Sequence, residues 1–201
     1  MQLKPKQKRS IATKNKIKQT ARKLFTEEGY YEVTSNKIAS TAGVPIGSFY
    51  NYFGNKKGVL LELIRDFNAK YHNRDLDRNL DLIANIQSAS EAKELLPDLL
   101  RNALLSSQLA DPFYRIIHSL QFTEADVLVL SEEVRQYEVA QLIQYLEKIQ
   151  EYVPIKDIRL VAKMLHSMAE NIGLYMHHLG SEFDQKSLID ETARMFEKYL
   201  F

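Results

Sequence analysis

The sequence predicts an all-α protein in which a small N-terminal three-helix domain is joined by a long helix to a larger C-terminal helical domain. Apolar residues recur at three- and four-residue steps through nearly every segment, and no stretch shows the alternation of a half-buried strand. Only five prolines and seven glycines interrupt the 201 residues, so long loops are not expected. Hydrophobic residues make up 45% of the chain, which is enough for a packed core.

The first helix is predicted over residues 11–28, and Gly29 ends it. Four apolar residues share one face of this helix, while lysines cover most of the remaining surface. These apolar residues are Ile17, Ala21, Leu24 and Phe25. The lysines at positions 4–8 precede the helix, and we expect them to form a solvated, disordered arm.

The second and third helices are short, and their ends are marked in the sequence. Thr34 can cap the second helix by accepting a hydrogen bond from a free backbone N–H. Gly43 can end it, because glycine readily adopts a positive φ. Pro45 fits the first turn of the third helix, which Gly54 breaks. Two short helices joined by a tight turn form the outline of a helix-turn-helix.

The fourth helix is long, can be capped by Asn55, and contains the boundary between the two domains. We place the first domain at residues 1–57 and the second at residues 58–201, since no flexible linker is visible. Within the second domain Pro97 either starts or kinks a helix. Its helices are punctuated at Ser88/Ser90, Asp111-Pro112, Val153-Pro154 and Gly180-Ser181.

Charge is divided unevenly between the two domains. Residues 1–58 hold twelve Lys or Arg and three Asp or Glu, whereas the remaining residues hold fifteen and twenty-three. Such an asymmetry indicates a polyanionic partner for the basic end, since a merely solvated face usually mixes both signs.

The third helix divides into a buried face and an exposed face. At 100° per residue, Phe49 and Phe53 share the face that packs on the first two helices. The opposite face carries small, hydrogen-bonding residues, which suit close approach to base edges or sugar-phosphate. These residues are Gly47, Ser48 and Asn51.

Groups suited to phosphate binding surround that exposed face. Tyr50 and Tyr52 flank the buried face and can present hydroxyl groups to phosphate oxygens. Lys56 and Lys57 follow at the start of the fourth helix, where ammonium groups and free backbone N–H groups favour an anion.

Residues 17–64 resemble the DNA-binding segment of the TetR family of transcriptional regulators. The resemblance covers about a quarter of the chain and implies a homodimer whose third helices enter successive major grooves of a near-palindromic operator. It also implies a one-component regulator, most often a repressor, that a small-molecule inducer releases from DNA. The matching residues are Ala21, Leu24-Phe25, Gly29-Tyr30, Thr34-Ser35, Ile38-Ala39, Ala42-Gly43-Val44, Gly47, Tyr50, Phe53 and Lys56.

The resemblance also assigns DNA contacts by position. It places three residues at the backbone or groove edge: Ser35, Asn36 and Lys37. It places four residues toward the bases: Ile46, Gly47, Ser48 and Asn51. It places three residues on phosphates: Tyr50, Tyr52 and Lys56. Contact of the N-terminal lysines with the minor groove is the alternative to a disordered arm. The chain departs from the family's frequent residues at Pro45, Tyr52, Lys57 and Val59, which affects the operator sequence rather than binding itself.

The last two helices, residues 158–179 and 187–200, carry broad apolar stripes. In the TetR family such helices pair with their mates in a four-helix dimer interface, and we adopt that interpretation over packing within their own domain. Gly173 is costly inside a helix and can permit a close helix crossing.

A regulator of this family holds its inducer among the middle helices, and the aromatic content of residues 113–152 favours an apolar or aromatic ligand. Plain core packing is the alternative for each residue that could contact it. The ligand-binding candidates are Phe113, Ile117, His118, Gln121, His166, Asn171 and Tyr175, with Glu170 and His178 as further polar groups. His177 and His178 are adjacent on a helix and cannot comfortably share one metal ion, so we expect no metal and no cofactor.

Other classes of protein have less support. The absence of cysteine excludes disulfides and a cysteine nucleophile, and no catalytic motif is present, so we do not expect an enzyme. No run of 18 apolar residues predicts a membrane span, and we expect a cytoplasmic protein. The alternative that remains is a constitutive or partner-controlled DNA-binding protein without a ligand switch.

Overall fold

The computed structural model describes residues 5–105, 108–150, 155–179 and 184–201, with side chains described except at 5–6, 71–82 and 178–179. Most of these residues lie in α-helices, and none of them lies in a β-strand, which confirms the predicted all-α class. Within the same ranges no helix is both long and apolar enough to span a membrane. The helices are α1 (Pro5–Glu28), α2 (Ser35–Thr41), α3 (Ile46–Phe53), α4 (Lys56–Ala84), α5 (Ala89–Leu104), α6 (Pro112–Leu120), α7 (Ala125–Ile149), α8 (Ile158–Leu174, continued by a π-helical turn at Tyr175–Leu179) and α9 (Gln185–Leu200).

The chain divides into two compact units. The first unit comprises Met1–Asn68 and Ile116–Leu130, and the second comprises Ala69–Arg115 and Ser131–Phe201. The division therefore falls within α4, later than residue 57. The first half of α4 packs with the helix-turn-helix because its apolar side chains are buried there. These side chains are Val59, Leu60, Leu63, Ile64 and Phe67.

Local capping interactions fix the ends of the short helices in the first unit. The Thr34 hydroxyl accepts a hydrogen bond from the N–H of Lys37 at 3.1 Å, and the side-chain carbonyl (Oδ1) of Asn55 accepts one from the N–H of Gly58 at 2.9 Å. Gly43 has a φ of 61°, which an L-residue with a side chain rarely adopts. These three predictions are confirmed. The position of Pro45 differs slightly from the predicted one, since Pro45 occupies the cap position immediately before α3 rather than its first turn.

Two boundaries differ from the predicted ones. Helix α1 begins at Pro5, so the expectation of a disordered arm is wrong for residues 5–8, and Lys4 lies outside the described residues. Proline is favoured at the first position of a helix, because its missing N–H would have no intrahelical partner there. The break between α6 and α7 was not predicted, because no glycine or proline marks it. The N–H of Glu124 instead closes a turn on the carbonyl of Leu120 at 2.8 Å.

The core of the second unit lies between α5, α7, α8 and α9. Helix α5 packs against both α8 and α9, and Leu96, Leu146, Leu165 and Phe196 meet in one hydrophobic cluster. Gly173 permits a close approach, as expected, but the neighbour is a side chain rather than a crossing helix. A Cβ added there would lie 2.3 Å from Cδ1 of Leu109. The glycine therefore makes room for a leucine from the segment before α6.

Candidate functional site

The exposed face of α3 presents the groups that the sequence predicts for DNA contact. Phe49 and Phe53 are buried, which confirms their role as core residues. On the other side Gly47 and Asn51 are exposed, and Ser48 is half-buried. The remaining exposed side chains of this helix are large: Ile46 is 38% exposed and Tyr50 is 49% exposed. This surface offers small polar groups at its centre and an unburied phenol at its edge.

Helix α1 contacts α3 at Tyr52 and Phe53. The hydroxyl groups of Tyr52 and Ser10 are hydrogen-bonded at 3.0 Å, and Tyr52 is half-buried. The ammonium group of Lys14 lies 5.5 Å from the ring centroid of Phe53 and 2.8 Å from the carboxylate of Glu62. The phosphate contact expected of Tyr52 stays a prediction, and its hydroxyl has a partner inside the protein.

Helix α2 presents the residues expected at the edge of the groove. Asn36 and Lys37 are exposed, and Ser35 is half-buried. The Lys37 ammonium group forms an ion pair with the carboxylate of Glu28 at the end of α1. A phosphate would compete with that carboxylate for the same ammonium group.

The side chain of Lys56 is directed into the protein. Its ammonium group donates hydrogen bonds to the backbone carbonyls of Tyr30 at 2.8 Å and Tyr31 at 3.3 Å. It also lies 4.4 Å from the ring centroid of Tyr30, a cation–π distance. Burial lowers the pKa of Lys56. The lysine thus ties the start of α4 to the loop after α1, and its predicted phosphate contact remains a prediction.

Lys57 and Tyr31 contact the turn between α6 and α7, which is part of the same unit. The Lys57 ammonium group lies 3.2 Å from a carboxylate oxygen of Glu124 and 2.6 Å from one of Asp126. Hydrogen bonds to Asp126 and then to Glu124 raise the pKa of Lys57. The Tyr31 hydroxyl donates to the Thr123 hydroxyl at 2.8 Å. A lysine expected near DNA phosphate is therefore paired with two carboxylates.

The second unit contains a cavity of about 220 Å³. Its walls are mostly apolar, with Leu96, Leu142 and Leu165 among the residues that line it. Polar side chains line it from four helices and from the segment before α6. They are Asn102 of α5, Gln108 of that segment, Tyr114 of α6, Tyr137, Glu138, Gln141 and Tyr145 of α7, and His166 and Glu170 of α8.

Two hydrogen bonds organise this polar part of the lining. The Tyr114 hydroxyl donates to Glu170 at 2.7 Å, and His166 Nε2 lies 2.8 Å from a carboxylate oxygen of Glu138. Burial, and then the negative charge of Glu170, raises the pKa of Tyr114. Among the described residues, neither Nδ1 of His166 nor Nε2 of Gln141 has a hydrogen-bond partner, although both atoms are buried. Buried polar atoms normally have partners, so a ligand with complementary groups would satisfy them.

The predicted ligand-binding residues are separated in the structure. Of the set, His166 lines the cavity, together with Glu170. Phe113 is buried outside the lining, the Asn171 amide donates to the carbonyl of Ser167, and Tyr175 is 37% exposed. The other three, Ile117, His118 and Gln121, belong to the first unit. The side chain of His178 lies outside the described residues.

Sequence reasoning missed Tyr114, Glu138 and Gln141 as cavity residues. For Glu138 and Gln141 the sequence offers one signal: both are polar, and because they are three residues apart they share a face of α7. Nothing in the local sequence connects that face with Tyr114 or with α8.

Comparison with known proteins matches residues 17–63 to a family described as bacterial regulatory proteins, tetR family. An HTH-type transcriptional regulator of Staphylococcus aureus (SAB2452) is 35% identical over 61 residues, which are 30% of this chain and 33% of the relative. The chain thus matches about a third of that curated relative's length.

Solved structures resemble the chain over most of its length. The fatty acid degradation regulator FadR from Bacillus halodurans superposes with a TM-score of 0.64 at 23% identity, covering 97% of this chain and 96% of that one. A transcriptional regulator from Saccharomonospora viridis, solved in complex with choline, gives a TM-score of 0.64 at 18% identity, covering 93% and 96%. These likenesses establish the shared fold. Residues 17–63, the segment that contains the helix-turn-helix, therefore belong to the tetR family of bacterial regulatory proteins.

Proposed function

We propose that the protein is a one-component repressor that binds a near-palindromic operator as a homodimer and leaves it when a small molecule occupies the second unit. The observation that carries this proposal is the two-sided third helix. Phe49 and Phe53 anchor it in the core, while Gly47, Ser48 and Asn51 lie on the opposite, accessible face. A helix held in this way can enter the major groove without losing its own packing.

The proposed DNA contacts follow the accessibility of the side chains. Asn51 can form paired hydrogen bonds with a base edge, and Gly47 lets the backbone approach closely. Tyr50 is free to reach a phosphate oxygen from the edge of the helix. The other proposed contacts are Ser35, Asn36, Lys37, Ile46, Ser48, Tyr52 and Lys56. The protein would act in the cytoplasm, on half-sites about 34–36 Å apart.

Fluorescence anisotropy with DNA from just upstream of the coding region, compared with scrambled DNA at two salt concentrations, tests this proposal. We expect selective binding that weakens with salt, because each phosphate contact releases counterions. Asn51→Ala should lower operator affinity by about fivefold to a hundredfold, the usual effect of losing a specific base contact. Gln144→Ala, an exposed amide change on α7, is the matched control and should leave it unchanged. Binding that is equal for operator and scrambled DNA and insensitive to Asn51→Ala would refute the assignment of α3.

Dimerisation through the last two helices is supported by apolar side chains that remain accessible. Leu160, Met164 and Met168 repeat every four residues along α8 and are 55%, 50% and 37% exposed. On α9, Met195 is 43% exposed and Tyr199 is 59% exposed. We propose that a second copy of the chain covers this surface. Sedimentation velocity should show a dimer that Met164→Lys dissociates, and a monomeric unaltered protein would contradict this proposal.

The ligand switch is supported by the cavity of the second unit and by the choline complex of one structural relative. Coupling between ligand and operator of about 1–3 kcal/mol would change operator affinity roughly 5- to 150-fold. Because such coupling is reciprocal, operator DNA should weaken ligand binding by the same factor. A ligand that binds the cavity and leaves operator affinity unchanged would favour a constitutive DNA-binding protein.

A further inference from the structure

We propose that the cavity of the second unit binds a small organic cation, an ammonium group that carries an apolar or aromatic body. This inference rests on the proposed ligand switch and names the chemical class of its ligand. The sequence alone indicates an apolar or aromatic inducer. The apolar walls of the cavity suit an apolar or aromatic body, and its polar side chains favour a ligand that also carries a positive charge.

The charge of the lining is negative in either protonation state of its histidine. Glu138 and Glu170 both line the cavity, and none of the described residues that line it is Lys or Arg. When His166 is protonated, it offsets one carboxylate, because it lies 2.8 Å from Glu138. The second carboxylate is then still uncompensated within the lining. A ligand cation would interact favourably with it, and most strongly where water is excluded.

The hydroxyl group beside Glu170 positions the carboxylate without neutralising it. Tyr114 donates to Glu170 at 2.7 Å, so the negative charge remains available to a ligand. The positive charge of Arg135 lowers the pKa of Tyr114, and Arg135 also forms an ion pair with Glu132 on its own helix. The carboxylates of Glu170 and Glu138 raise the pKa of Tyr114 more than Arg135 lowers it, which is consistent with a negative potential at this point.

Aromatic rings complete a surface suited to an ammonium group. Tyr114, Tyr137 and Tyr145 all line the cavity, and a cation over an aromatic face is attracted by the quadrupole of the ring. Carboxylates together with aromatic faces are the groups that recognise organic ammonium ions, whereas an acidic metabolite would be repelled. A neutral His166 with its proton on Nε2 would leave Nδ1 as an acceptor for an ammonium or hydroxyl hydrogen.

The size of the cavity limits the ligand. Its volume of about 220 Å³ lies below the roughly 300–1,000 Å³ typical of sites for drug-sized molecules. A single ring or a short branched chain attached to the ammonium group suits this volume. The exposed lining residues Asn102 and Ala103 indicate where such a ligand could enter.

Three probes with the same phenyl body and different charge test the inference: 2-phenylethylammonium, 2-phenylethanol and phenylacetate. In isothermal titration calorimetry at pH 7, we expect the ammonium probe to bind at least about tenfold more tightly than the alcohol, and phenylacetate to bind more weakly than both. Glu170→Gln should reduce the preference for the cation toward unity, because it removes the charge and keeps the shape. Glu133→Gln, an exposed change on α7, is the matched control and should preserve it.

Equal or tighter binding of the alcohol or of phenylacetate overturns the inference, and so does the absence of binding by all three probes. Glu138→Gln serves as a second variant if Glu170→Gln lacks the far-UV circular dichroism of the folded protein. Operator anisotropy in the same preparations separates this inference from the proposed function. If the alcohol binds as tightly as the cation and releases DNA, only the cation preference fails. If the cation binds selectively and leaves DNA binding unchanged, only the switch fails.

Discussion

Replacing Gly47 by alanine should make the protein more stable and a weaker DNA binder. Gly47 is the second residue of α3, it is exposed, and its φ is not positive. A Cβ built at this position has no described heavy atom within 4 Å. The substitution therefore introduces no clash inside the described protein, and the new methyl group points toward the proposed DNA surface.

The expected gain in stability comes from the conformational freedom that glycine loses on folding. Alanine is more favourable than glycine by roughly 0.5–1 kcal/mol in a helix, and we expect about 0.5 kcal/mol so close to the helix start. For a protein of this size that corresponds to a rise in Tm of about 1–2 °C. Operator affinity should fall about tenfold, or ~1.4 kcal/mol, because the methyl group prevents close approach of the backbone to the base edges.

Gly43→Ala is the matched control, since it adds the same methyl group four residues earlier. Gly43 has a φ of 61°, and its added Cβ would be 3.5 Å from Nζ of Lys16, an ordinary contact. The left-handed conformation should cost about 1–2 kcal/mol, which lowers Tm by a few degrees. Thermal unfolding followed at 222 nm and operator anisotropy give both quantities for each variant. A Gly47→Ala protein that is stabilised and binds the operator within twofold of the unaltered chain would refute the placement of this face against DNA.

Two further predictions concern polar contacts in the first unit. Thr34→Ala should lower the free energy of unfolding by about 1 kcal/mol in urea titrations, because α2 loses its cap. Thr34→Ser should retain most of the stability of the unaltered protein, because serine also caps a helix. Equal stability of all three proteins would contradict the capping role. In a double-mutant cycle, Lys57→Met and Asp126→Asn should show a small favourable coupling that disappears in 1 M salt, as expected for partly exposed ion pairs. Coupling that persists in 1 M salt would mean that the contact is not mainly electrostatic.

Much of the helix-turn-helix could be predicted because its signals are local. Thr34, Gly43 and Asn55 act on backbone groups within a few residues of themselves, so their roles can be inferred without knowing the tertiary structure. The division of α3 into a buried and an exposed face follows from its period of 3.6 residues. Pro5 is likewise a local signal for the start of α1, because proline is favoured at the first position of a helix.

The chemistry of the cavity could not be predicted in this way. Its polar groups come from α5, α6, α7 and α8 and from the segment before α6. Residues 114 and 170 are far apart in the sequence although they are hydrogen-bonded. Aromatic content directed attention to residues 113–152, yet the structure assigns residues 116–130 of that stretch to the first unit. Composition identifies an aromatic region but not the side of each helix that packs against its neighbours.

By itself the sequence determined the all-α class, the ends of the short helices and the helix-turn-helix segment with its two-sided third helix. Each of these depends on periodicity and on contacts between residues close together in the chain. Tertiary structure alone decided that Lys56 binds backbone carbonyls, that Lys57 pairs with Glu124 and Asp126, and that Glu138 and Glu170 line one cavity. Those partners are chosen by how the helices pack, because residues distant in the chain become neighbours only when apolar faces are buried against each other.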